Sequence, residues 1–292
     1  MNDIMPATNH HRRRALMSQA FAFVCLAATS LCVLILALLI WEILWQGLPW
    51  LNPRFLTSSL SRFPEKAGIK PSLVSSLWLI GLTTLFSVPI GVGAALYLEE
   101  YAPASRWRSI VQVNIANLAG VPSIVYGILG LGLFVRALAL QRSIMAGALT
   151  LTLVVLPIVI LAAQESLRAV PDSIRRASYA LGATRWQTTW HQVLPAATPG
   201  IMTGVILAIS RALGEAAPLV ALGAATFITF VPMSPADEFS ALPMVIFDWT
   251  SRPQPEFHYV AAAAIVVLLT VLILLNAAAV YVRYRYGKRV RW

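Results

Sequence analysis

From Asp172 the chain reads Asp172-Ser173-Ile174-Arg175-Arg176-Ala177-Ser178-Tyr179-Ala180-Leu181-Gly182-Ala183-Thr184, then, after nine intervening residues, Leu194-Pro195. Pro171 with Asp172 or Ser173 predicts a helix start, because a side-chain oxygen there accepts from the first exposed N–H groups. Ile174, Ala177, Tyr179 and Leu181 fall to one side of that helix, and Arg175, Arg176 and Arg185 to another. Gly182 is placed to end it. This short amphipathic helix could lie on lipid headgroups or fill a groove on a soluble partner. It belongs to a long polar loop, Gln164–Pro195, between two apolar runs, and long loops are often functional.

The solvent for the rest is lipid. Of 292 residues, 58% are hydrophobic and 12% charged, and the mean hydropathy is +0.73. A water-soluble domain cannot hide that much apolar surface. Apolar runs long enough for about 30 Å of hydrocarbon lie at Phe21–Trp45, Ser72–Leu98, Ser109–Val135, Ser143–Ala163, Ala196–Phe230 and Tyr259–Val282. The runs are continuous rather than alternating, which excludes an outer-membrane barrel. An all-α membrane protein of six transmembrane helices is expected. The divisions are an N-terminal tail 1–20, a first span and loop 21–70, a five-span domain 71–282 and a C-terminal tail 283–292. Phe21–Trp45 is too long for the apolar core of a signal peptide and reads as a retained anchor.

Basic residues set the orientation. The N-terminal tail, the segment near Arg106 and Arg108, the Gln164–Pro195 loop and the C-terminal tail carry 3, 2, 4 and 5 Lys or Arg, against 4, 2 and 1 on the opposite loops, fourteen against seven. The positive-inside rule then puts both termini and the long loop in the cytoplasm. The net charge of +10 is thus a matter of topology. It does not indicate nucleic acid, for which no recognition module or aromatic–basic platform is present. Cys25 and Cys32, about 10.5 Å apart along a helix, are too distant for a disulfide, and no metal site is expected.

The loop is similar to the cytoplasmic signature of ABC importer permeases: an alanine-rich helix, a glycine, nine residues, an apolar position, one residue more, then Leu-Pro. Ala177, Gly182 and Leu194-Pro195 match in register. Arg176 stands where the family usually has Glu, and Gln192 where it usually has Ile or Val; the missing acid removes one expected polar contact to an ATPase. Tyr97-Leu98-Glu99-Glu100-Tyr101, Ala119-Gly120-Val121-Pro122-Ser123-Ile124-Val125-Tyr126-Gly127 and Arg211-Ala212-Leu213-Gly214-Glu215-Ala216-Ala217-Pro218 resemble the phosphate importer's permeases. Ala241-Leu242-Pro243 and Phe247-Asp248-Trp249 are similar to its PstA-type rather than its PstC-type subunit.

That resemblance implies the ABC type I importer permease fold with a cytoplasmic coupling helix, in the bacterial inner membrane. The implied partners are a second, PstC-like permease, an ABC ATPase dimer and an external phosphate-binding protein. ATP and Mg would be bound by the ATPase, and no cofactor by this chain, which lacks a phosphate-cradling glycine loop ending in Lys-Ser/Thr and is not itself expected to be an enzyme. Asp172, Arg176, Ala177, Tyr179, Leu181, Gly182, Ala183, Leu194 and Pro195 are the expected coupling residues.

Arg211 and Glu215 are the expected pathway residues. An ionisable group inside a membrane span is a functional hypothesis by default. Arg211 supplies a planar fork able to grip two oxygens of phosphate, and Glu215 can balance it. An interhelical structural pair is the competing reading. Gly120, Pro122 and Gly127 in the third span, with Gly200 and Gly204 in the fifth, are candidates for close helix packing or a gate. A permease for molybdate or sulfate, or less readily a secondary transporter, stays open as an alternative.

Overall fold

Side-chain caps and prolines punctuate an all-helical chain, seen in a computed structural model that describes residues 9–287. Residues 1–8 and 288–292, the outer parts of the two expected tails, lie outside the described residues. Helix α1 spans Asn9–Gly47, α2 Pro53–Thr57 and α3 Lys70–Leu96. Next come α4 (Arg106–Ala119), α5 (Ser123–Gly130), α6 (Ile144–Arg168), α7 (Asp172–Ala180) and α8 (Arg185–Thr188). The chain continues through α9 (Leu194–Gly214), α10 (Ala217–Leu222), α11 (Leu242–Thr250) and α12 (Pro255–Gly287). Three π-helical turns, Tyr97–Tyr101, Leu131–Ala137 and Thr189–Val193, prolong α3 and α5 and lead into α9.

Helix α6 is the axis. It packs between α3 and α9, and two thirds of its apolar window is covered by the rest of the chain, 67% against 33% for α3. Small residues allow this: a Cβ on Gly91 would meet Val159 at 2.7 Å and one on Gly200 would meet Ser166 at 2.7 Å. At Gly204 an added Cβ would overlap that of Ala162. Overpacking of this kind costs about 1–3 kcal/mol. Gly204→Ala is therefore expected to lower the unfolding temperature in detergent, and Ala162→Gly in the same chain to recover much of the loss.

By contrast α1 turns an uncovered apolar surface outward, with 0% of its window buried. Its C-terminal end docks on α12, where Gly47 lies against Ala262 and Ala263 and Trp50 stacks on Tyr259 at 6.4 Å. The loop behind it folds back over α11 and α12. Asn52 caps α2 by accepting from the Phe55 N–H at 2.8 Å, and Phe55 is buried with Ile69, Trp249 and Phe257.

Two expected spans differ. Ser109–Val135 is two helices, α4 and α5, bent by 101°. Pro122 has no N–H to continue α4 and disfavours helical geometry at Val121, so the helix stops at Gly120 and restarts at Ser123. Ala196–Phe230 stops at Gly214: Glu215 has extended geometry (φ −81, ψ 112), and α10 begins afresh with Pro218 in its first turn. The apolar residues after it belong to a short helix packed on α5, closed by Gly223 at φ +83, and to the irregular chain that follows. Among the described residues five helices are long and apolar enough to span, and six if the bent pair is one span.

Candidate functional site

The loop after α6 builds a projecting knob. Asp172 stands in the first turn of α7, where a carboxylate meets the helix dipole favourably. At the far end Gly182 takes φ +84, a conformation that L side chains rarely adopt. Its N–H donates to the Tyr179 carbonyl at 2.9 Å and the Ala183 N–H to that of Ser178 at 3.2 Å, closing the helix. Thr184 then caps α8 in a reciprocal box with Gln187. Ser178 and Thr188 share a 2.8 Å hydroxyl hydrogen bond that ties α7 to α8.

This folding leaves Asp172, Arg176, Ala177, Tyr179 and Leu181 exposed together. Leu181, 89% exposed, is the most prominent apolar side chain. Ala183 is half-buried beside them. Leu194 and Pro195 have a different position: Leu194 packs against the cluster of Leu167, Val193 and Ala197, and Pro195 starts α9 where its missing N–H is not needed. They set where α9 enters the helix layer and stand apart from the exposed knob.

Behind the knob lies a polar assembly that the sequence reading left without a role. Glu99 and Glu100 sit side by side in the π turn after α3. Glu99 accepts from Arg108 (3.0 Å), Arg168 (2.7 Å) and Gln164 (2.9 Å). Glu100 takes the Arg175 fork, with Nη2 at 2.7 Å and Nε at 3.2 Å from Oε1. The same guanidinium donates to the carbonyls of Leu167 (2.9 Å) and Val170 (2.7 Å), at and just beyond the end of α6. Burial weakens the charge of Arg175, but the hydrogen bond and charge of Glu100, with Asp172 and Tyr179, outweigh it and hold its pKa above the ordinary guanidinium value. An acidic pair ending an apolar run and an arginine seventy-five residues on were the available signals; only folding joins them.

Arg211 and Glu215 do meet, as an i,i+4 pair on one chain segment with Nε 3.1 Å from Oε1. The competing interhelical pair is thereby replaced by a local one. The Arg211 side chain is 50% exposed and that of Glu215 17%. Glu215 borders a narrow crevice with Ser76, Leu151, Leu219 and Pro243, where α3, α6, α10 and α11 converge. A half-exposed guanidinium in the last turn of an apolar helix does not face hydrocarbon at an acceptable cost. It faces water or another protein.

Of the other candidates, Gly127 lets α10 approach α5, since a Cβ there would overlap the Pro218 carbonyl and lie 2.6 Å from Ala221. Gly120 meets only its own turn, at Asn117 O, 3.4 Å away, so it is a helix end and no contact to another helix. Pro122 opens α5. Among the described residues no group of three or more His, Cys, Asp or Glu gathers to hold a metal ion. At the other end of the helix layer Asp237, in the loop before α11, accepts from the N–H groups of Met233 (2.8 Å) and Ser234 (2.9 Å), and Asp248 in α11 pairs with Arg252 at 2.7 Å. Asp237→Ala is therefore expected to loosen this loop, read as faster amide exchange at residues 233–238, while the helix layer keeps its protection.

This helix layer with a projecting loop helix defines a class: the chain belongs to the binding-protein-dependent transport system inner membrane components, whose sequence profile matches residues 87–288. The solved bacterial alginate ABC transporter, in complex with a pentasaccharide-bound periplasmic protein, shares the fold at a TM-score of 0.64 and 15% identity, over 91% of this chain and 94% of that one. Within the class the chain sits among PstA-type permeases. It is 36% identical to the phosphate transport system permease protein PstA 1 of Mycobacterium tuberculosis H37Rv over 74% of this chain and 70% of that one. The PstA of Haemophilus influenzae is 34% identical over 76% and 78% respectively.

Proposed function

We propose that this chain is a permease subunit of an ATP-driven phosphate importer, with both termini and the α7 knob on the cytoplasmic side. The observation that carries this is the exposed surface of α7 and Leu181 in a chain with PstA-type relatives. An apolar residue projecting from a short helix is what a groove on a soluble partner accepts. The partner is an ABC ATPase dimer, which binds ATP and Mg; a PstC-like permease completes the pathway and a phosphate-binding protein feeds it. Arg211 offers phosphate a two-oxygen fork, and Glu215, already paired to it, competes for the same donors and keeps the hold weak enough for release.

The test is uptake of radiolabelled phosphate into proteoliposomes that hold the whole complex, with and without internal ATP and with molybdate and sulfate as competitors. ATP-dependent uptake unaffected by those two anions is the expected result. Transport that follows ATP but prefers another oxyanion would refute the substrate assignment alone.

A further inference from the structure

We propose that Glu99 and Glu100 form a fixed hub that makes α7 move as one body with the adjoining ends of α3, α4 and α6, so that a push on the knob reaches the pathway helices undiminished. The inference rests on the reading of α7 as the ATPase contact. The two adjacent carboxylates reach different elements. Glu99 gathers α4 through Arg108 and α6 through Gln164 and Arg168, and Glu100 gathers α7 through Arg175.

Arg175 is the link that matters most. Its planar fork engages Glu100 while its Nη2 and Nη1 donate to the carbonyls of Leu167, in the last turn of α6, and Val170, just beyond it. One side chain thus joins three elements. The Glu100 side chain is 6% exposed and that of Arg175 16%, so water competes little for these bonds. An apolar cluster that includes Ala95, Leu98, Leu167, Val170, Val193 and Ala197 spans the same elements and the start of α9. Besides the Arg175 bonds, Ile174 packs against this cluster, while the Ser178–Thr188 hydroxyl contact ties α7 only to α8.

The experiment uses the full complex with Cys25 and Cys32 replaced by Ala. Glu100→Cys/Arg175→Cys removes both charges together, which spares the chain a lone buried charge. Both positions lie at the floor of a cleft of about 410 Å³, and shortening the two side chains to Cys opens them to a short bis-maleimide. Unbridged, the variant is expected to hydrolyse ATP at the parent rate but import about tenfold less phosphate per ATP, a usual size for a coupling loss. Bridging should restore most of it. An unchanged ratio before bridging, or a bridge that stops import, would overturn the proposal.

Arg175→Lys, which keeps the charge and loses the fork, should lower the ratio without changing assembly; no drop counts against the hub. A third arm needs no transported substrate. Spin labels at Ser173→Cys on α7 and Tyr97→Cys after α3 should keep their separation to within about 2 Å between nucleotide-free and ATP-bound complexes, the scale of helix shifts at interfaces. A larger change overturns the hub. Failure of the parent complex to import phosphate, with the label distance constant, would refute the proposed function and leave the hub standing.

Discussion

Leu181→Asp is expected to cut ATP-driven phosphate uptake at least about 100-fold while the permease folds and inserts as before. The two halves of this outcome have different physical origins. Leu181 is 89% exposed, so its replacement removes almost no packing within the chain, and surface changes of this kind usually shift stability by less than about 0.5 kcal/mol. In a groove the same residue is an anchor. Burying a leucine contributes about 1.5–3 kcal/mol, and placing an unpaired carboxylate there costs several kcal/mol more. Together they exceed the ~2.7 kcal/mol that a 100-fold loss requires. Co-purification of the ATPase with the variant, its melting temperature and uptake are the measurements. Leu181→Met, similar in size and apolar, should retain most of the activity. Full uptake by a stably assembled Leu181→Asp complex would remove α7 from the contact.

Legibility followed the range of the interactions. Helix α7 was readable to within two residues because Pro171, Asp172 and Gly182 act on neighbouring backbone: a helix start, a first-turn acid, a left-handed end. The long spans were readable because lipid demands continuous apolar length. Composition failed where an apolar residue serves packing in place of spanning. Ala217–Leu222 is as apolar as a membrane helix, yet Pro218 and Gly223 confine it to one short helix against α5. At Gly120-Val121-Pro122 the expected continuous span is broken in two, since the loss of a donor at Pro122 coincides with the restriction on Val121. Glu99 and Glu100 were quoted for their resemblance alone. Their partners lie nine residues away at Arg108 and more than sixty away at Gln164, Arg168 and Arg175, and no local periodicity encodes that juxtaposition.

The position of Arg211 turns an ambiguous mutation into a decisive one. Had Arg211 and Glu215 been a buried interhelical pair, removing either would have left a lone charge at a cost of several kcal/mol, and an inactive mutant would have meant only a broken fold. The pair is instead local, i,i+4, with Arg211 50% exposed. Exposed pairs of that kind contribute about 0.3–0.5 kcal/mol, and the Glu215 carboxylate, 17% exposed, loses its partner in addition, a cost of about 1–2 kcal/mol or a few degrees in melting temperature for a chain of this size. Arg211→Ala is therefore expected to leave assembly intact with only that small thermal shift and to reduce phosphate uptake about 100-fold. Arg211→Lys should fall between, about tenfold down, since a point charge keeps the attraction for an anion but loses the two-oxygen fork. Glu215→Gln gives the complementary sign: with no carboxylate competing for Arg211, phosphate is held longer, so half-saturation falls and the maximal rate falls with it. If Arg211→Ala transports normally, the guanidinium faces the partner permease and takes no part in conduction. If it is inactive because the two permeases no longer co-purify, the same conclusion follows. Only loss of uptake in an intact complex with no more than that thermal shift places Arg211 in the pathway, and a half-exposed local pair is the geometry in which that outcome can be read.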